Sequence, residues 1–258
     1  RTFFRLYPEE YGPRLFELLG WEGGKGVKRF EHTAMTEGAP VLSVRDLHFP
    51  ALPPMTFDIR RGEIAFLRDE NYNTGRRLHE CFLGDRGWTS GFFRLNGRLY
   101  QPGDLGRVIG SEIGIQIERP DRPGGVLFDN MTALDNLCTS LIPKAGQHII
   151  RKKIVSSILS EALRWFPKEM LLQPLSSWSY PERLRFSYYR WYLLNPRLLI
   201  CFFPFAGQES THHKMIIDLL VLCAQRGMAV WIISSGIDAI CEKTDNEEFL
   251  RRLHYLNK

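Results

Sequence analysis

The stretch Leu198-Leu199-Ile200-Cys201-Phe202-Phe203 decides the fold of this chain, because it is apolar at every position. A strand with one side in solvent alternates apolar and polar residues, so an unbroken apolar run predicts a strand covered on both faces of a parallel sheet. A second such run spans 228–233, and the segment 214–226 between them carries an apolar stripe at helical spacing. Together the three segments predict a β-α-β unit.

The segments before this unit also predict regular structure. Residues 41–44 and 55–59 alternate as strands at a sheet edge do, and 64–67 is apolar throughout. The middle third predicts helices, one opening at Thr132 and a longer one over 149–166. We therefore expect an α/β fold with a mainly parallel core sheet, an antiparallel β edge and an α-helical subdomain over about 128–180.

The first part of the chain has a different composition. A short amphipathic helix is predicted over 14–20, and the connector Gly23-Gly24-Lys25-Gly26 follows it. These features predict that residues 1–39 are a linker from a preceding domain and that 40–258 form the domain proper.

Composition narrows the class of protein. With 258 residues and 44% hydrophobic content, the chain can bury a sizeable core, and no apolar run approaches the ~18 residues that span a bilayer. The net charge of +5 is modest and spread along the chain, so nucleic acid is not an expected partner. The five cysteines are scattered without metal-ligand spacing, which predicts a reduced cytosolic setting and no metal site.

Several segments in order carry a resemblance to a known family: Arg61-Gly62-Glu63-Ile64, Cys81-Phe82-Leu83-Gly84, the stretch 127–137 and Asn195-Pro196-Arg197. This series resembles the nucleotide-binding domain of an ABC transporter. It is similar in particular to the second of the two tandem ATPase domains of the sugar-importer class, whose linker carries a Tyr-Pro element like Tyr7-Pro8. The resemblance covers about 40–247 and implies a P-loop NTPase core.

The resemblance places the phosphate loop at 69–76. A phosphate loop needs glycines so that backbone amides can wrap the phosphates, and a lysine that reaches the outer phosphates. Here the motif glycines fall on Asp69, Tyr72 and Thr74, the lysine on Gly75 and the hydroxyl residue on Arg76. If nucleotide binding is retained, Thr74, Gly75 and Arg76 would contact it, although a solvated helix start is the favoured interpretation of Arg76.

The end of the central strand also departs from the family. Phe202 stands in place of the Mg²⁺-linked aspartate, and Phe203 in place of the catalytic glutamate. Because phenylalanine can neither bind a metal ion nor take a proton, we expect no catalytic residue. Glu209 stands where the family has the aspartate of its dimer-contact loop, and Ser235 stands at the switch-histidine position.

Three further polar residues have two interpretations each. Gln116 or Glu118 could be the residue that senses the γ-phosphate and couples to the membrane subunit, but Gln116 is equally explained as a polar position in an alternating strand. Ser179 is the serine of the family signature, and both signature glycines are replaced. With Glu182 it forms a capping-box pattern, which we favour over a contact to a nucleotide on an opposing domain.

The resemblance and these substitutions imply a degenerate ABC-type domain that does not hydrolyse ATP. It would pair with an intact ATP-binding domain, in the same chain or in a homologous subunit, and couple to an integral membrane permease for sugar import. This would place it in the cytoplasm, peripheral on the inner face of the cell membrane, without a cofactor. The alternatives are a chain that still binds or hydrolyses ATP with Mg²⁺, and a transport-independent regulatory interaction module.

Overall fold

The computed structural model describes residues 38–85, 87–118, 127–145, 152–206 and 210–256. They belong to two compact units, one containing residues 127–183 and the other the remaining described residues. The predicted linker falls on residues 1–39, of which 1–37 lie outside the described residues. None of the helices in the described ranges is both long and apolar enough to cross a membrane.

The larger unit contains a five-stranded parallel sheet in the order β6-β7-β8-β3-β9. Its strands are β3 (Ile64–Arg68), β6 (Ile113–Ile117), β7 (Leu198–Phe202), β8 (Ala229–Ser234) and β9 (Leu253–Tyr255). Every residue of β7 and of β8 is buried, as their unbroken apolar runs predict. The predicted α/β fold class is confirmed.

The antiparallel strands form a sheet of their own in the larger unit, with the order β2-β1-β4-β5. They are β1 (Leu42–His48), β2 (Met55–Ile59), β4 (Ser90–Leu95) and β5 (Arg98–Tyr100). The predicted strand over 55–59 has the observed bounds of β2. Phe57 of β2 packs edge-on against Trp231 of β8, with ring centroids 5.1 Å apart, so both sheets share one apolar core.

The helices are numbered in chain order: α1 (Asn73–Leu83), α2 (Pro102–Leu105), α3 (Ala133–Ala145), α4 (Lys152–Ala162), α5 (Lys168–Leu171), α6 (Tyr180–Leu194), α7 (Ser210–Gln225), α8 (Asp238–Cys241) and α9 (Glu247–Arg252). The helix predicted over 149–166 ends at Ala162, and residues 149–151 lie outside the described ranges. The helix predicted over 214–226 begins earlier, at Ser210. Thr132 caps α3, because its hydroxyl oxygen accepts the Asp135 amide hydrogen at 3.1 Å.

The parallel sheet fixes the position of two chain segments, 69–72 and 202–203. β3 pairs with β8 over its whole length, and β8 pairs with β7, so the carboxyl ends of all three strands lie at one edge. The loop 69–72 leaves β3 at that edge and enters α1. Phe202 ends β7 at the same edge and Phe203 follows it, so residues distant in sequence meet there.

Candidate functional site

The loop between β3 and α1 covers the segment where the resemblance predicts a phosphate loop. Tyr72 precedes the first residue of α1 and has a φ of 57°, in the left-handed region. A glycine adopts this conformation freely, whereas a residue with a Cβ is strained there by roughly 1–2 kcal/mol. This chain places a tyrosine in a turn whose backbone conformation favours glycine.

The Asp69 carboxylate points into this loop rather than into solvent. The residue is 5% exposed. Its two carboxylate oxygens accept the amide hydrogens of Thr74, at 3.2 Å, and Gly75, at 2.7 Å. Amides at the start of a helix are the groups that a phosphate loop offers to an anion. In this structure they are bonded to the side chain of the same loop.

Phe203 occupies the space beside Gly75. A Cβ built on Gly75 would lie 2.6 Å from Phe203 Cζ, closer than carbon atoms can approach. Phe203 itself has a φ of 53°, and its ring contacts the Tyr72 ring edge-on at 4.7 Å between centroids. With the Phe203 ring in this position, a Cβ at position 75 would clash with it, so a lysine there would require the ring to shift.

The carboxyl end of β7 is part of the apolar core. Phe202 is 1% exposed, and its ring lies 5.7 Å from the ring of His79 on α1. Phe203 is half-buried and holds its place through its amide, which donates to Ile233 O at 2.8 Å. The two positions that would carry a metal ligand and a base carry packed rings. The two amides at the start of α1 are bonded to Asp69, and the Phe203 ring lies beside Gly75.

Gln116 is at the centre of a buried network of hydrogen bonds. Its amide nitrogen donates to Glu118 Oε1 at 2.6 Å and to Ser187 Oγ at 3.0 Å, while its oxygen accepts from Trp191 Nε1 at 2.8 Å. Gln116 is completely buried, and Glu118 is 3% exposed. The alternation expected of this strand does not apply to Gln116, because α6 covers it and supplies polar partners.

Cys201 faces Gln116 across the β6–β7 register. Burial, with smaller contributions from Cys223 and Glu118, raises the pKa of the Cys201 thiol well above its ordinary value. The thiol therefore stays protonated at neutral pH and packs as an apolar group.

Ser179 precedes α6, where a capping residue was expected, but its hydroxyl acts as a donor. Both its amide nitrogen and its hydroxyl donate to Glu182 Oε2, each at 2.7 Å. Only the half of the capping box in which the carboxylate accepts from the first residue is formed. The predicted pairing of Ser179 with Glu182 at the start of α6 is therefore confirmed, but the Ser179 hydroxyl donates to Glu182 instead of accepting a helix amide.

The other predicted positions are separated from these residues or lie outside the described ranges. Arg76 has a side chain that is 57% exposed and lies 3.5 Å from the Glu80 carboxylate, on the outside of α1. Ser235 follows β8 and is half-buried. Glu209 lies outside the described residues.

An open pocket of about 680 Å³ adjoins the loop. Its lining residues are Leu52, Arg68, Asp69, Glu70, Asn71, Asn73, Thr74 and Tyr255. Leu52, which follows β1, and Tyr255, which ends β9, are not among the site residues that the sequence predicts. No local sequence pattern identifies Tyr255, because the pairing of β9 with β3 brings it to the pocket.

No protein-family profile matches the chain. Among curated proteins, the putative ribose/galactose/methyl galactoside import ATP-binding protein of Pseudomonas syringae pv. tomato is 26% identical over 212 residues, which are 81% of this chain and 40% of that protein. The fructose import ATP-binding protein FruK of Bifidobacterium longum is 24% identical over 258 residues, 92% of this chain and 48% of that protein. The chain thus spans less than half the length of these relatives.

Solved structures show the same fold at lower sequence identity. CbiO1 of Clostridium perfringens, part of the ABC transporter complex CbiONQ, has a TM-score of 0.64 and 19% identity, over 84% of this chain and 85% of that one. A nucleotide-free ATP-binding cassette from an ABC transporter has a TM-score of 0.60 and 15% identity, over 84% and 88% of the two chains. The chain has the fold of an ABC transporter ATP-binding domain.

Proposed function

We propose that this chain is the non-hydrolysing member of a pair of ABC-type ATP-binding domains and couples to a membrane permease that imports a sugar. Two curated relatives are named as import ATP-binding proteins, for ribose, galactose or methyl galactoside and for fructose. Each is more than twice as long as the segment that this chain matches. That length leaves room for a second domain beside the matched one.

The contact between Phe203 and Gly75 carries the proposal. Hydrolysis in this fold needs a lysine on the phosphates, a carboxylate on Mg²⁺ and a group that orients water. Phe203 occupies the position of the last of these groups, and its ring also fills the space where the lysine side chain would begin. Phe202 is buried at the metal-ligand position. One pair of rings therefore supports the loss of all three parts.

The loss of rate expected from these replacements also supports a loss of hydrolysis. Removing a positioned general base alone costs a factor of ~10²–10⁴ in rate. Removing one preorganised electrostatic contact to a developing charge costs a further ~10²–10³. A chain lacking base, metal ligand and lysine together would turn over too slowly to drive transport.

In the proposed role, this domain pairs with an intact domain and transmits its motion to the permease. The intact partner, in the same chain or in a homologous subunit, would bind and hydrolyse ATP, and this domain would form the opposite face of the pair. The permease would hold the pair at the inner face of the cell membrane. Neither ATP nor Mg²⁺ is needed by this domain in that arrangement.

Phosphate release from Mg²⁺-ATP tests the proposal. The chain alone should give no turnover above background, and a mixture with an intact ATP-binding partner should show activity that disappears when the partner's phosphate-loop lysine is replaced. Turnover that scales with this chain, is lost in Arg76→Ala and persists in Arg107→Ala would overturn the proposal. Arg107 is the matched control because it follows α2 and its side chain is 83% exposed.

A further inference from the structure

The Asp69 carboxylate stands where a phosphate loop holds its bound anion. Both of its oxygens accept backbone amide hydrogens from the first turn of α1, from Thr74 at 3.2 Å and from Gly75 at 2.7 Å. The carboxylate is planar and carries one negative charge, so it can satisfy two convergent amides at once. With 5% of the residue exposed, the carboxylate is enclosed by the loop.

This contact differs from an ordinary helix cap. A capping side chain belongs to the residue immediately before the helix and accepts one amide of the first turn. That residue here is Tyr72, and its side chain makes no capping hydrogen bond. Asp69 lies at the beginning of the loop, immediately after β3, and its carboxylate closes the loop from inside. The backbone amide of Asp69 donates to Ser234 O at 2.9 Å, and this bond holds the residue at the sheet edge.

The charges around the loop disfavour a second anion. Glu70 lies 3.8 Å from Arg68, and Arg68 also bonds to Asp238. The Arg76 side chain lies beside Glu80. A phosphate placed in the loop would therefore meet the Asp69 carboxylate, while the nearby guanidinium groups already face carboxylates.

We infer that Asp69 is a built-in substitute for the phosphate anion, which keeps the loop and the start of α1 in the anion-bound arrangement without nucleotide. Its removal would then open the loop to an external oxyanion. The inference rests on the proposed function, in which this domain must keep its shape through the partner's cycle of ATP binding and hydrolysis. The Asp69 carboxylate is the group that would keep this shape when no nucleotide is bound.

Anion rescue of Asp69→Ala in the 258-residue chain tests the inference. The variant should melt about 2–6 °C below the parent protein, the shift that loss of a helix cap produces in a domain of this size. Sodium phosphate, or sodium formate as a smaller anion, should raise its melting temperature along a saturating curve and recover at least half of the loss. The parent protein should show no saturating response to either anion at the same ionic strength.

Asn246→Ala is the matched control, because Asn246 caps α9 by accepting the Phe249 amide at 2.9 Å and no anion loop lies there. It should lose stability without anion rescue. Asp69→Asn covers the case in which Asp69→Ala does not fold. The asparagine side chain has the shape of aspartate, but its NH2 group would face one of the two backbone N–H donors. The variant should therefore melt below the parent protein and not respond to anions.

Three results would overturn the inference: a saturating phosphate response in the parent protein, no response of a folded Asp69→Ala to either anion, or an Asp69→Asn variant as stable as the parent. These outcomes are independent of the phosphate-release assay. A chain that turns over ATP contradicts the proposed function, whereas an inert chain without anion rescue contradicts only the role of Asp69.

Discussion

The ring of Phe203 fills the space in which a side chain at Gly75 would begin, with Phe203 Cζ 2.6 Å from an added Cβ. The two substitutions are therefore physically coupled. A lysine at position 75 and a phenylalanine at position 203 cannot both occupy this arrangement, whereas glycine and phenylalanine fit together. Tyr72 completes the arrangement by packing on the same ring.

Gly75→Ala should destabilise the protein, although it places a better helix former in α1. Replacing glycine by alanine within a helix gains roughly 0.5–1 kcal/mol, but overpacking a filled site costs about 1–3 kcal/mol. Since the ring is held by Tyr72, we expect the clash to be the larger effect, with a net loss of ~1–2 kcal/mol. Urea denaturation measures the change in the free energy of unfolding.

Gly103→Ala in α2 is the matched control for this change, because a Cβ added at Gly103 meets nothing within 4 Å. It should be neutral or stabilising. In a Phe203→Ala background, Gly75→Ala should lose its penalty. Equal stabilisation at positions 75 and 103 in the parent protein would show that the ring moves aside.

Gln116→Leu should be strongly destabilising, in keeping with a structural role for this side chain. The change keeps the volume but leaves the buried Trp191 N–H and the Glu118 carboxylate without their bonds to Gln116. Each buried polar group left unsatisfied costs about 1–3 kcal/mol, and more when it is charged. We expect a loss of ~2–5 kcal/mol by urea denaturation.

Gln101→Leu serves as the control for Gln116, because Gln101 is exposed and its side chain makes no capping bond to α2. A surface change of this kind stays within about 0.5 kcal/mol. A small effect at both positions would count against the importance of the buried network.

Ser179→Asp should be more destabilising than Ser179→Ala. Aspartate is usually as good a cap as serine, but here the Ser179 hydroxyl donates to Glu182, so a carboxylate would face another carboxylate. Thermal denaturation of the two variants measures the difference. Adding Glu182→Gln should relieve the penalty of Ser179→Asp; the same melting temperature for Ser179→Asp and the parent protein would contradict the donor role.

Asp58→Asn should reduce stability at neutral pH and have little effect in acid. The hydrogen bond from Arg45, at 2.6 Å, holds the pKa of Asp58 below its ordinary value. A depressed folded-state pKa adds stability above the unfolded-state pKa of about 3.9, and this contribution is lost as the pH falls through the folded-state value. Because both side chains are about one-third exposed, the difference at neutral pH should be only ~0.5–1 kcal/mol.

Urea denaturation at a series of pH values checks this dependence. Asp85→Asn is the control, since Asp85 is exposed, and its effect should stay small at every pH. A penalty for Asp58→Asn that persists at the acid end of the series would mean that the ion pair is not its cause.

The parallel core was predictable because its signal is local. An apolar run such as β7 or β8 can bury both faces only inside a covered sheet, and the helical stripe between them requires a crossover. The end of the apolar run was also predictable, since Phe202 is the last residue of β7. Apart from those of β2, the strand termini and the helix ends differ from expectation by up to a few residues, because caps and packing decide where an element stops.

By itself, the sequence determined that the central strand ends in two phenylalanines, which carry no charge in any fold. Only the tertiary structure decided what these residues do instead. The partners of Asp69, Gln116 and Phe203 come from different elements, and the sheet register brings them within contact distance. A carboxylate that would repel a phosphate in an open loop becomes a ligand for the loop's own amides, because folding encloses it where those amides converge.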